Sequence, residues 1–389
     1  MYYLLGKSLK HSMSKEIHEM ISDIEYDYLE LNEISLLGRD FLGLNVTIPY
    51  KEEIMTQLDF IDDFAKEIGS VNTVVNDYGV LKGYNTDYYG FMKLVQKNNI
   101  IFNNKRILII GTGGSSKTVT KFAKVMGAKN IDYCSRSRGI LVNDLEDVYD
   151  IIVNTTPVGM YPDDSLILDL SGFSIEAAID LVYNPLRTRF LLSTDTKAVN
   201  GLYMLVAQAV RAQEIFFNIS YKHKIDEVYN KLLKATTNIV LVGMPMSGKT
   251  FTARKLSVKY NKEHIDTDEL IEDIGLISEL ITDLPNFRSI ESEIINSIKY
   301  NTGKIISTGG GVILDKENIK HLKLNGIIIY LKRSIDYLKT QSKNGRPLLK
   351  EEGSLEKMFT ERENIYSAVA DYTVNDMEEI YEVINTKWG

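Results

Sequence analysis

Two stretches decide the fold of this chain: RILIIGTGGSSKTVTKF at residues 106–122 and NIVLVGMPMSGKTFTARKL at residues 238–256. Each begins with a short apolar segment, continues through a glycine-rich turn and ends in a sequence typical of a helix. Continuously apolar strands are buried on both faces, as in parallel sheets covered by helices. The two stretches therefore predict two α/β units in one chain.

The length of 389 residues also favours more than one domain. Residues 201–233 carry apolar side chains at helical spacing, and the polar residues 234–237 follow them. We expect these helices to close the first unit. The sequence thus predicts one unit over residues 1–235 and a second over residues 236–389.

Composition and charge limit the partners of the chain. The net charge of −8 opposes non-specific binding to nucleic acid or to an anionic membrane. Cys134 is the single cysteine. Residues 1–12 show no basic segment followed by a sustained apolar one, and no apolar run approaches about 18 residues, so we expect neither secretion nor membrane insertion. The histidines and this cysteine show no zinc-ligand spacing. We therefore expect a cytoplasmic protein that acts on small molecules.

The glycine-rich turn of the first stretch suits a dinucleotide. Gly111, Gly113 and Gly114 allow a tight turn and a close approach of the backbone to a pyrophosphate at a helix N-terminus. Such turns also occur without a ligand. Ser135 and Arg136 follow the next predicted strand, where an arginine can accept the 2′-phosphate of NADP. These residues favour NADP(H), with a solvated surface arginine as the alternative.

Seven ordered motifs in the first unit resemble shikimate dehydrogenase. They are His11–Ser14, Asn45–Lys51, Val71–Thr73, Gly83–Asp87, Asn154–Met160, Asp180–Pro185 and Gly201–Met204. The resemblance covers roughly the first 235 residues. It implies a substrate-binding domain over residues 1–88 and about 200–233, and a Rossmann-like NADP-binding domain over residues 89–199.

The same resemblance implies roles for individual residues. Lys51 would donate a proton to the substrate carbonyl oxygen, and Asp87 would orient Lys51 and hold a hydroxyl. Gly201 would contact the cofactor. The substrate-binding set would be Ser12, Ser14, Thr47, Asn72, Tyr183 and Gln208. Taken singly, each could be a turn, cap or surface residue.

The first unit departs from the family pattern in two places. Lys15 stands where a proline usually follows the second serine, and the stretch from His18 to Gly43 looks short. Both departures concern the edge of the pocket and the surface through which the family usually dimerises. A homodimer and a monomer therefore both remain open.

The turn of the second stretch satisfies the pattern of a phosphate-binding P-loop, G-x-x-x-x-G-K-[ST]. Backbone N–H groups around Gly243, Ser247 and Gly248 would surround phosphate, Lys249 would reach it, and Thr250 could ligate Mg²⁺. A P-loop alone leaves an ATPase, a GTPase, a motor and a metabolite kinase open. The small size of the unit favours a metabolite kinase that uses ATP.

Five further motifs in the second unit resemble shikimate kinase, which implies a fold like that of nucleoside monophosphate kinases. They are His264–Asp268, Phe287–Glu291, Thr308–Val312, Gly345–Leu349 and Glu361–Tyr366. The resemblance implies that Asp266 binds Mg²⁺ and that Asp268 contacts the substrate hydroxyls. Arg288 and Arg362 would clamp the substrate carboxylate. The backbone would approach the substrate ring closely at Gly309, Gly310 and Gly311. Arg346 would reach the transferring phosphate on a closing lid. Glu291 is either a partner of Arg288 or a simple surface pair.

The product implied for the first unit is the substrate implied for the second. We therefore expect NADPH-dependent reduction of 3-dehydroshikimate, then ATP- and Mg²⁺-dependent phosphorylation of shikimate, on the route to chorismate and the aromatic amino acids. One rival keeps both folds with other substrates, such as quinate for the dehydrogenase. A second rival makes one unit a non-catalytic binding module.

Overall fold

The computed structural model describes residues 1–10, 12–36, 40–135, 139, 145, 148–341 and 351–388. The chain divides into two compact units, Met1–Tyr229 and Asn230–Gly389. Our boundary at 235/236, and the finer division of the first unit, stay predictions. Among the described residues, no helix is long and apolar enough to cross a membrane.

The first unit begins with a mixed six-stranded sheet in the order β2-β1-β3-β5-β6-β4. Its strands are β1 (Tyr2–Gly6), β2 (Tyr26–Glu30), β3 (Gly43–Val46), β4 (Phe60–Ile61), β5 (Thr73–Asp77) and β6 (Val80–Tyr84). Strands β1, β2 and β3 run parallel, whereas β5 is antiparallel to both β3 and β6. Helices α1 (Ser14–Ile21), α2 (Asp63–Ile68) and α3 (Asp87–Lys97) accompany this sheet.

A second, fully parallel sheet of the same unit has the order β11-β10-β9-β7-β8. Its strands are β7 (Arg106–Ile110), β8 (Asn130–Cys134), β9 (Ile151–Asn154), β10 (Ala177–Asp180) and β11 (Lys197–Asn200). The helices are α4 (Gly114–Val125), α5 (Arg189–Leu192) and α6 (Leu202–Phe217), and the division between the two units falls within α7 (Lys224–Thr236). Residues 107–110 are buried, as their continuous apolar sequence predicts.

Helix α3 lies between helices α4 and α6, which positions the first candidate site. Gly90 of α3 makes the contact with α6 possible, because a Cβ atom there would stand 2.6 Å from the carbonyl oxygen of Met204. On another side of α3, the rings of Phe91 and Phe122 meet edge to face with centroids 5.1 Å apart. Asp87, the first residue of α3, is thereby fixed on a well-packed helix.

The second unit is a parallel sheet in the order β13-β14-β12-β15-β16. Its strands are β12 (Asn238–Val242), β13 (His264–Asp266), β14 (Ile305–Ser307), β15 (Gly326–Leu331) and β16 (Tyr372–Val374). Its helices are α8 (Lys249–Tyr260), α9 (Thr267–Glu272), α10 (Ile277–Leu280), α11 (Leu284–Ile298), α12 (Lys316–Lys323), α13 (Ile335–Lys339), α14 (Ser354–Val369) and α15 (Met377–Trp388).

Strand β12 contributes residues to both apolar clusters of the second unit, one on each face of the sheet. Val240 and Val242 belong to one buried cluster, whereas Ile239 and Leu241 belong to another. Alternate residues of a strand point to opposite faces, so a strand covered on both sides must be apolar throughout. The predicted α/β fold class is confirmed.

Candidate active sites

The glycine-rich turn of the first unit joins β7 to α4. Gly111 has a φ of +111°, and a Cβ atom there would lie 2.6 Å from Thr155 Oγ1. Gly113, the residue before α4, has open space where a side chain would be. There is therefore open space beside the N-terminus of α4, where a pyrophosphate could approach the backbone closely. Ser135 is half-buried at the end of β8, and Arg136 lies outside the described residues.

Lys51 and Asp87 form a direct ion pair in the first unit. Lys51 Nζ lies 2.6 Å from Asp87 Oδ2, and the two side chains are 14% and 6% exposed. Lys51 follows β3 in a turn, and Asp87 begins α3. An ammonium group that remains partly accessible beside a buried carboxylate has the geometry of a held proton donor.

Two more of the predicted substrate-binding residues are linked to this pair by hydrogen bonds, Asn72 directly and Gln208 through Asn72. Asn72 Nδ2 donates to Asp87 Oδ1 at 2.9 Å and lies 3.3 Å from Gln208 Oε1. Gln208, on α6, also donates from Nε2 to the carbonyl oxygen of Leu205. Residues separated by more than 150 positions in the chain thus form one polar site.

The paired serines lie at the start of α1. Ser12 Oγ and Ser14 Oγ are 3.1 Å apart, and the hydroxyl of Tyr28 donates to the carbonyl oxygen of Ser12. Burial raises the pKa of Tyr183, while hydrogen bonds with the Met13 backbone and the Ser12 side chain lower it. Tyr183 therefore lies against the serines, and its contact with the substrate stays a prediction. Thr47 follows β3, and its methyl group packs over Gly6.

Asp180 joins the two loops that leave β9 and β10, a role that the sequence did not indicate. It accepts hydrogen bonds from Asn154 Nδ2, the Val182 backbone N–H and Thr188 Oγ1 at 3.0, 3.0 and 2.6 Å. Burial raises the pKa of Asp180 to about 7 against the effect of these three donors. Asp180 thus fixes the loop that carries Tyr183.

Gly201 has a packing reason for lacking a side chain. A Cβ atom at this position would stand 2.1 Å from the carbonyl oxygen of Leu181. The backbone of the loop after β10 therefore passes directly over Gly201, the residue before α6. Its contact with the cofactor stays a prediction.

The P-loop of the second unit runs from β12 into α8. Gly243 and Gly248 have φ values of +151° and +93°, which glycine adopts without strain. Lys249 Nζ donates to the carbonyl oxygens of Gly243 and Met244 at 2.9 and 3.0 Å. Ser247 Oγ is buried and has no hydrogen-bond partner within the described part of the chain. An unpaired buried hydroxyl at this loop fits a phosphate group.

Thr250 and Asp266 form a set of oxygen donors beside the P-loop. Thr250 Oγ1 and Ser307 Oγ donate to Asp266 Oδ2 at 2.7 and 2.8 Å. His264 Nε2 lies 2.7 Å from Ser307 Oγ, and burial lowers the pKa of His264. Hydroxyl and carboxylate oxygens suit Mg²⁺. The sequence assigned no role to Ser307 or His264, although His264 begins the motif His264–Asp268 and Ser307 directly precedes the motif Thr308–Val312.

The three glycines after β14 lie against the predicted substrate-binding side chains. A Cβ atom on Gly309 would stand 2.7 Å from Asp268 Oδ1, and one on Gly311 would stand 2.0 Å from Arg288 Nη1. The Gly309 N–H donates to Thr267 Oγ1, a second hydroxyl that the sequence did not single out. A side chain at Gly309 would displace Asp268, and one at Gly311 would displace the guanidinium group of Arg288.

Arg288 and Arg362 approach the same glycine segment from two helices. Arg288 Nη1 pairs with Glu291 Oε2 at 2.5 Å, and burial raises the pKa of Glu291 although Arg288 lowers it. Arg362 Nη1 and the Tyr366 hydroxyl both donate to the carbonyl oxygen of Gly310. The Arg288–Glu291 pair is therefore partly buried rather than a surface pair.

A cleft of about 560 Å³ brings these groups together in the second unit. Its lining includes Lys249, Thr250, Asp266, Asp268, Arg288, Gly309, Gly310, Gly311 and Arg362. Arg346 lies outside the described residues. The cleft thus contains a P-loop at one part of its wall and two guanidinium groups at another, which suits a phosphate donor and an anionic acceptor.

Comparison with known proteins agrees with both halves. Residues 4–74 match the family model "Shikimate dehydrogenase substrate binding domain", and residues 245–387 match the model "Shikimate kinase". A shikimate dehydrogenase (NADP(+)) from Clostridium beijerinckii is 36% identical over 257 residues, which cover 58% of this chain and 95% of the relative.

Two solved structures show the same relationship for the first unit. Shikimate dehydrogenase 1 from Peptoclostridium difficile is 35% identical with a TM-score of 0.54, and the match covers 59% of this chain and 97% of that one. Shikimate 5-dehydrogenase from Thermus thermophilus, solved with NADP(H) and shikimate, is 27% identical with a TM-score of 0.54 over 59% and 98% of the two chains.

Fold, sites and comparisons together define a bifunctional α/β enzyme with an oxidoreductase unit and a P-loop kinase unit. The chain belongs to the shikimate dehydrogenase family, and a shikimate kinase domain follows the dehydrogenase region. Its activities are shikimate dehydrogenase, with NADP(H), and shikimate kinase, both in the shikimate pathway to the aromatic amino acids.

Proposed function

We propose that this chain carries out two consecutive steps: reduction of 3-dehydroshikimate to shikimate at Lys51 and Asp87, and phosphorylation of shikimate to shikimate 3-phosphate at the P-loop cleft. The observation that carries the proposal is that each predicted set of reactive groups converges in space. Lys51 meets Asp87 at 2.6 Å, and Lys249, Asp268 and the two arginines line one cleft.

In the reduction, Lys51 would donate a proton to the carbonyl oxygen of 3-dehydroshikimate as that oxygen becomes a hydroxyl. Asp87 holds the ammonium group through Oδ2, and Asn72 holds the other carboxylate oxygen. Ser12 and Ser14 would bind the substrate carboxylate, while Thr47, Asn72, Tyr183 and Gln208 would contact its carboxylate or hydroxyls. NADPH, when bound at the Gly111–Gly114 turn, supplies the hydride.

In the phosphorylation, Asp268 would accept the proton of the attacking hydroxyl or orient that hydroxyl. Arg288 and Arg362 would clamp the substrate carboxylate, because a guanidinium group can make two parallel hydrogen bonds to it. Lys249 would neutralise charge on the phosphates of ATP, and Arg346 would do so after closure. Thr250 and Asp266 would hold Mg²⁺, which screens phosphate charge when bound.

The arginine pair also argues against the rival substrates. A kinase for a neutral sugar has no use for two guanidinium groups beside its acceptor site. Quinate in the dehydrogenase unit is tested by comparing its oxidation with that of shikimate. The cytoplasmic location, and the choice between a monomer and a homodimer, stay predictions of the sequence.

A mass-spectrometric time course tests the proposal. Purified protein is supplied with 3-dehydroshikimate, NADPH, ATP and Mg²⁺, and each cofactor is omitted in turn. We expect shikimate to appear first and shikimate 3-phosphate after it, with only shikimate formed when ATP is omitted. Accumulation of shikimate in the complete mixture would contradict the kinase assignment, and no conversion would contradict the dehydrogenase assignment.

Matched lysine variants separate the two activities. Lys51→Met should abolish reduction and leave phosphorylation of added shikimate intact, whereas Lys249→Met should do the reverse. Lys66→Met and Lys320→Met are controls, because each of these lysines is 53% exposed in a surface ion pair. Loss of both activities from one folded active-site variant would rule out independent sites.

A further inference from the structure

A row of buried polar side chains continues from the Lys51–Asp87 pair into the core of the first unit. Its members are Asn72, Thr86, Thr73, Asn45 and Tyr26, each at most 4% exposed. Buried polar groups are costly unless they are paired, so a row of this length needs a reason. The hydrogen bonds along it lead to Asp87.

The orientation of Asn72 is settled by the backbone of Thr86. The Thr86 N–H lies 2.7 Å from Asn72 Oδ1, and an N–H group can only donate. The amide nitrogen of Asn72 must therefore be on the other side, where it donates to Asp87 Oδ1 at 2.9 Å. One carboxylate oxygen is thus held by Asn72 and the other by Lys51.

The two hydrogens of Asn72 Nδ2 have three acceptors within reach. They are Thr86 Oγ1 at 3.0 Å, Asp87 Oδ1 at 2.9 Å and Gln208 Oε1 at 3.3 Å. Which acceptors are used depends on whether Thr86 Oγ1 already accepts from elsewhere. A second donor to Thr86 leaves the hydrogens of Asn72 for Asp87 and Gln208.

Thr73 is placed to be that second donor. Thr73 Oγ1 lies 3.1 Å from Thr86 Oγ1, and it accepts from Asn45 Nδ2 at 3.3 Å. Asn45 uses one of the two lone pairs of Thr73 Oγ1, and the acceptors within reach of the Thr73 hydroxyl hydrogen are Thr86 Oγ1 at 3.1 Å and Asn72 Oδ1 at 3.4 Å. The Thr73 hydroxyl is therefore bonded to the same groups that determine the hydrogen bonds of Asn72.

The far end of the row is anchored to helix α1. The hydroxyl of Tyr26 donates to Asn45 Oδ1 at 2.9 Å, and the Tyr26 ring stacks on His18 with centroids 4.2 Å apart. His18 lies one helical turn after Ser14, on the same face of α1. The row therefore connects the helix that carries Ser14 with the residues that hold Lys51.

We propose that Thr73 is a positioning residue for the reduction: its hydroxyl, acting through Thr86 and Asn72, keeps Asp87 and Lys51 in the arrangement that delivers the proton. This inference rests on the proposed reduction at Lys51. Thr73 itself is fully buried and acts through other residues.

Thr73→Val and Thr73→Ser form the test, since valine keeps the shape without the hydroxyl and serine keeps the hydroxyl. We expect Thr73→Val to lower kcat for 3-dehydroshikimate reduction about tenfold, with KM for both substrates changed by less than about twofold. Thr73→Ser should recover most of kcat. Phosphorylation of added shikimate by the same preparations measures the amount of chain, and a shift of the melting transition on adding NADP⁺ shows that the first unit is folded.

Thr73→Ala guards against a valine variant that does not fold, because it removes the hydroxyl without placing a methyl group near Asn45. Unchanged kcat in Thr73→Ala or Thr73→Val would overturn the inference, and so would failure of the folded serine variant to recover activity. An unmodified protein that does not reduce 3-dehydroshikimate would overturn the proposed function itself. If the unmodified protein reduces 3-dehydroshikimate and Thr73→Ala has the same kcat, only the role of Thr73 is overturned.

Discussion

Gly114, the first residue of helix α4, lies directly against Lys51. A Cβ atom on Gly114 would stand 3.3 Å from the Cβ atom of Lys51 and 2.8 Å from Ser70 Oγ. The glycine-rich turn and the proposed proton donor therefore adjoin, although 63 positions separate them in the chain. The turn that would bind the cofactor therefore lies beside Lys51, the proposed proton donor to the substrate.

Replacing Gly114 tests this contact. Gly114→Val should lower kcat/KM for reduction at least about tenfold, because a branched side chain must displace Lys51 or the start of α4. Steady-state rates of NADPH oxidation measure the effect. Gly172→Val is the matched control, since Gly172 has open space at its Cβ position. Equal activity of the two variants would mean that Lys51 tolerates the displacement.

Arg288 should be sensitive to replacement by lysine. Its guanidinium group lies against Gly311 and pairs with Glu291, so the flat shape as well as the charge is used. We expect Arg288→Lys to raise KM for shikimate about tenfold and to leave KM for ATP nearly unchanged. Arg254→Lys, at an exposed ion pair on α8, is the control. A parallel rise in both KM values would contradict a role confined to the shikimate side.

Ser307 should affect the metal requirement of the kinase. Its hydroxyl donates to Asp266 Oδ2 and lies within hydrogen-bond distance of His264. Loss of a partner that orients a metal ligand commonly weakens metal binding about tenfold or more. We therefore expect Ser307→Ala to raise the Mg²⁺ concentration for half-maximal phosphorylation by about that factor. Ser292→Ala is the control, because the Ser292 hydroxyl on α11 pairs with Asp315 and Asn318 instead. Calorimetric titration of ADP with and without Mg²⁺ is an independent check.

Asp180 makes the stability of the first unit depend on pH. Because burial raises the pKa of the folded-state carboxyl group to about 7, the folded chain retains a proton that the unfolded chain loses above about pH 4. The contribution of Asp180 to stability is therefore greatest below pH 4 and falls as the pH rises to 7.

The Asp180→Asn variant isolates this contribution. Asparagine stays neutral, so the melting temperature of the wild type minus that of the variant should fall between pH 4 and 7. The transition of the first unit is identified by its shift when NADP⁺ alone is added, because the kinase unit also binds shikimate. A difference that is constant with pH would show that Asp180 is ionised throughout this range.

Much of the site could be predicted from short motifs because local sequence determines local backbone. The strand–turn–helix segments at residues 106–122 and 238–256 are found as expected, since apolar runs and glycines act over a few residues. Lys51, Asp87 and Asn72 were chosen by resemblance, and the structure brings them into hydrogen-bond contact. Arg136 and Arg346 fall outside the described residues, so their roles stay predictions.

The supporting residues could not be predicted in the same way. Asp180, Thr73 and Thr267 lie within motifs that carry the resemblance, and Ser307 directly precedes one, but nothing in the sequence assigns these residues a role of their own. Their partners come from other strands and loops, as with Ser307 and Asp266, which are 41 positions apart. Only a residue's burial and the direction of its hydrogen bonds reveal such a role.

The sequence by itself determined the two α/β units, their glycine-rich turns and the reactive residue types, because periodicity, glycine and charge act locally. Only the tertiary structure decided that Lys51 pairs with Asp87, that Asp87 also accepts from Asn72, and that Asn72 reaches Gln208. This arrangement requires α3 to approach α6 at Gly90, where a Cβ atom would collide with the Met204 carbonyl oxygen. Hydrogen bonds are short and directional, so groups far apart in the chain can act together only after packing has fixed the backbones that carry them.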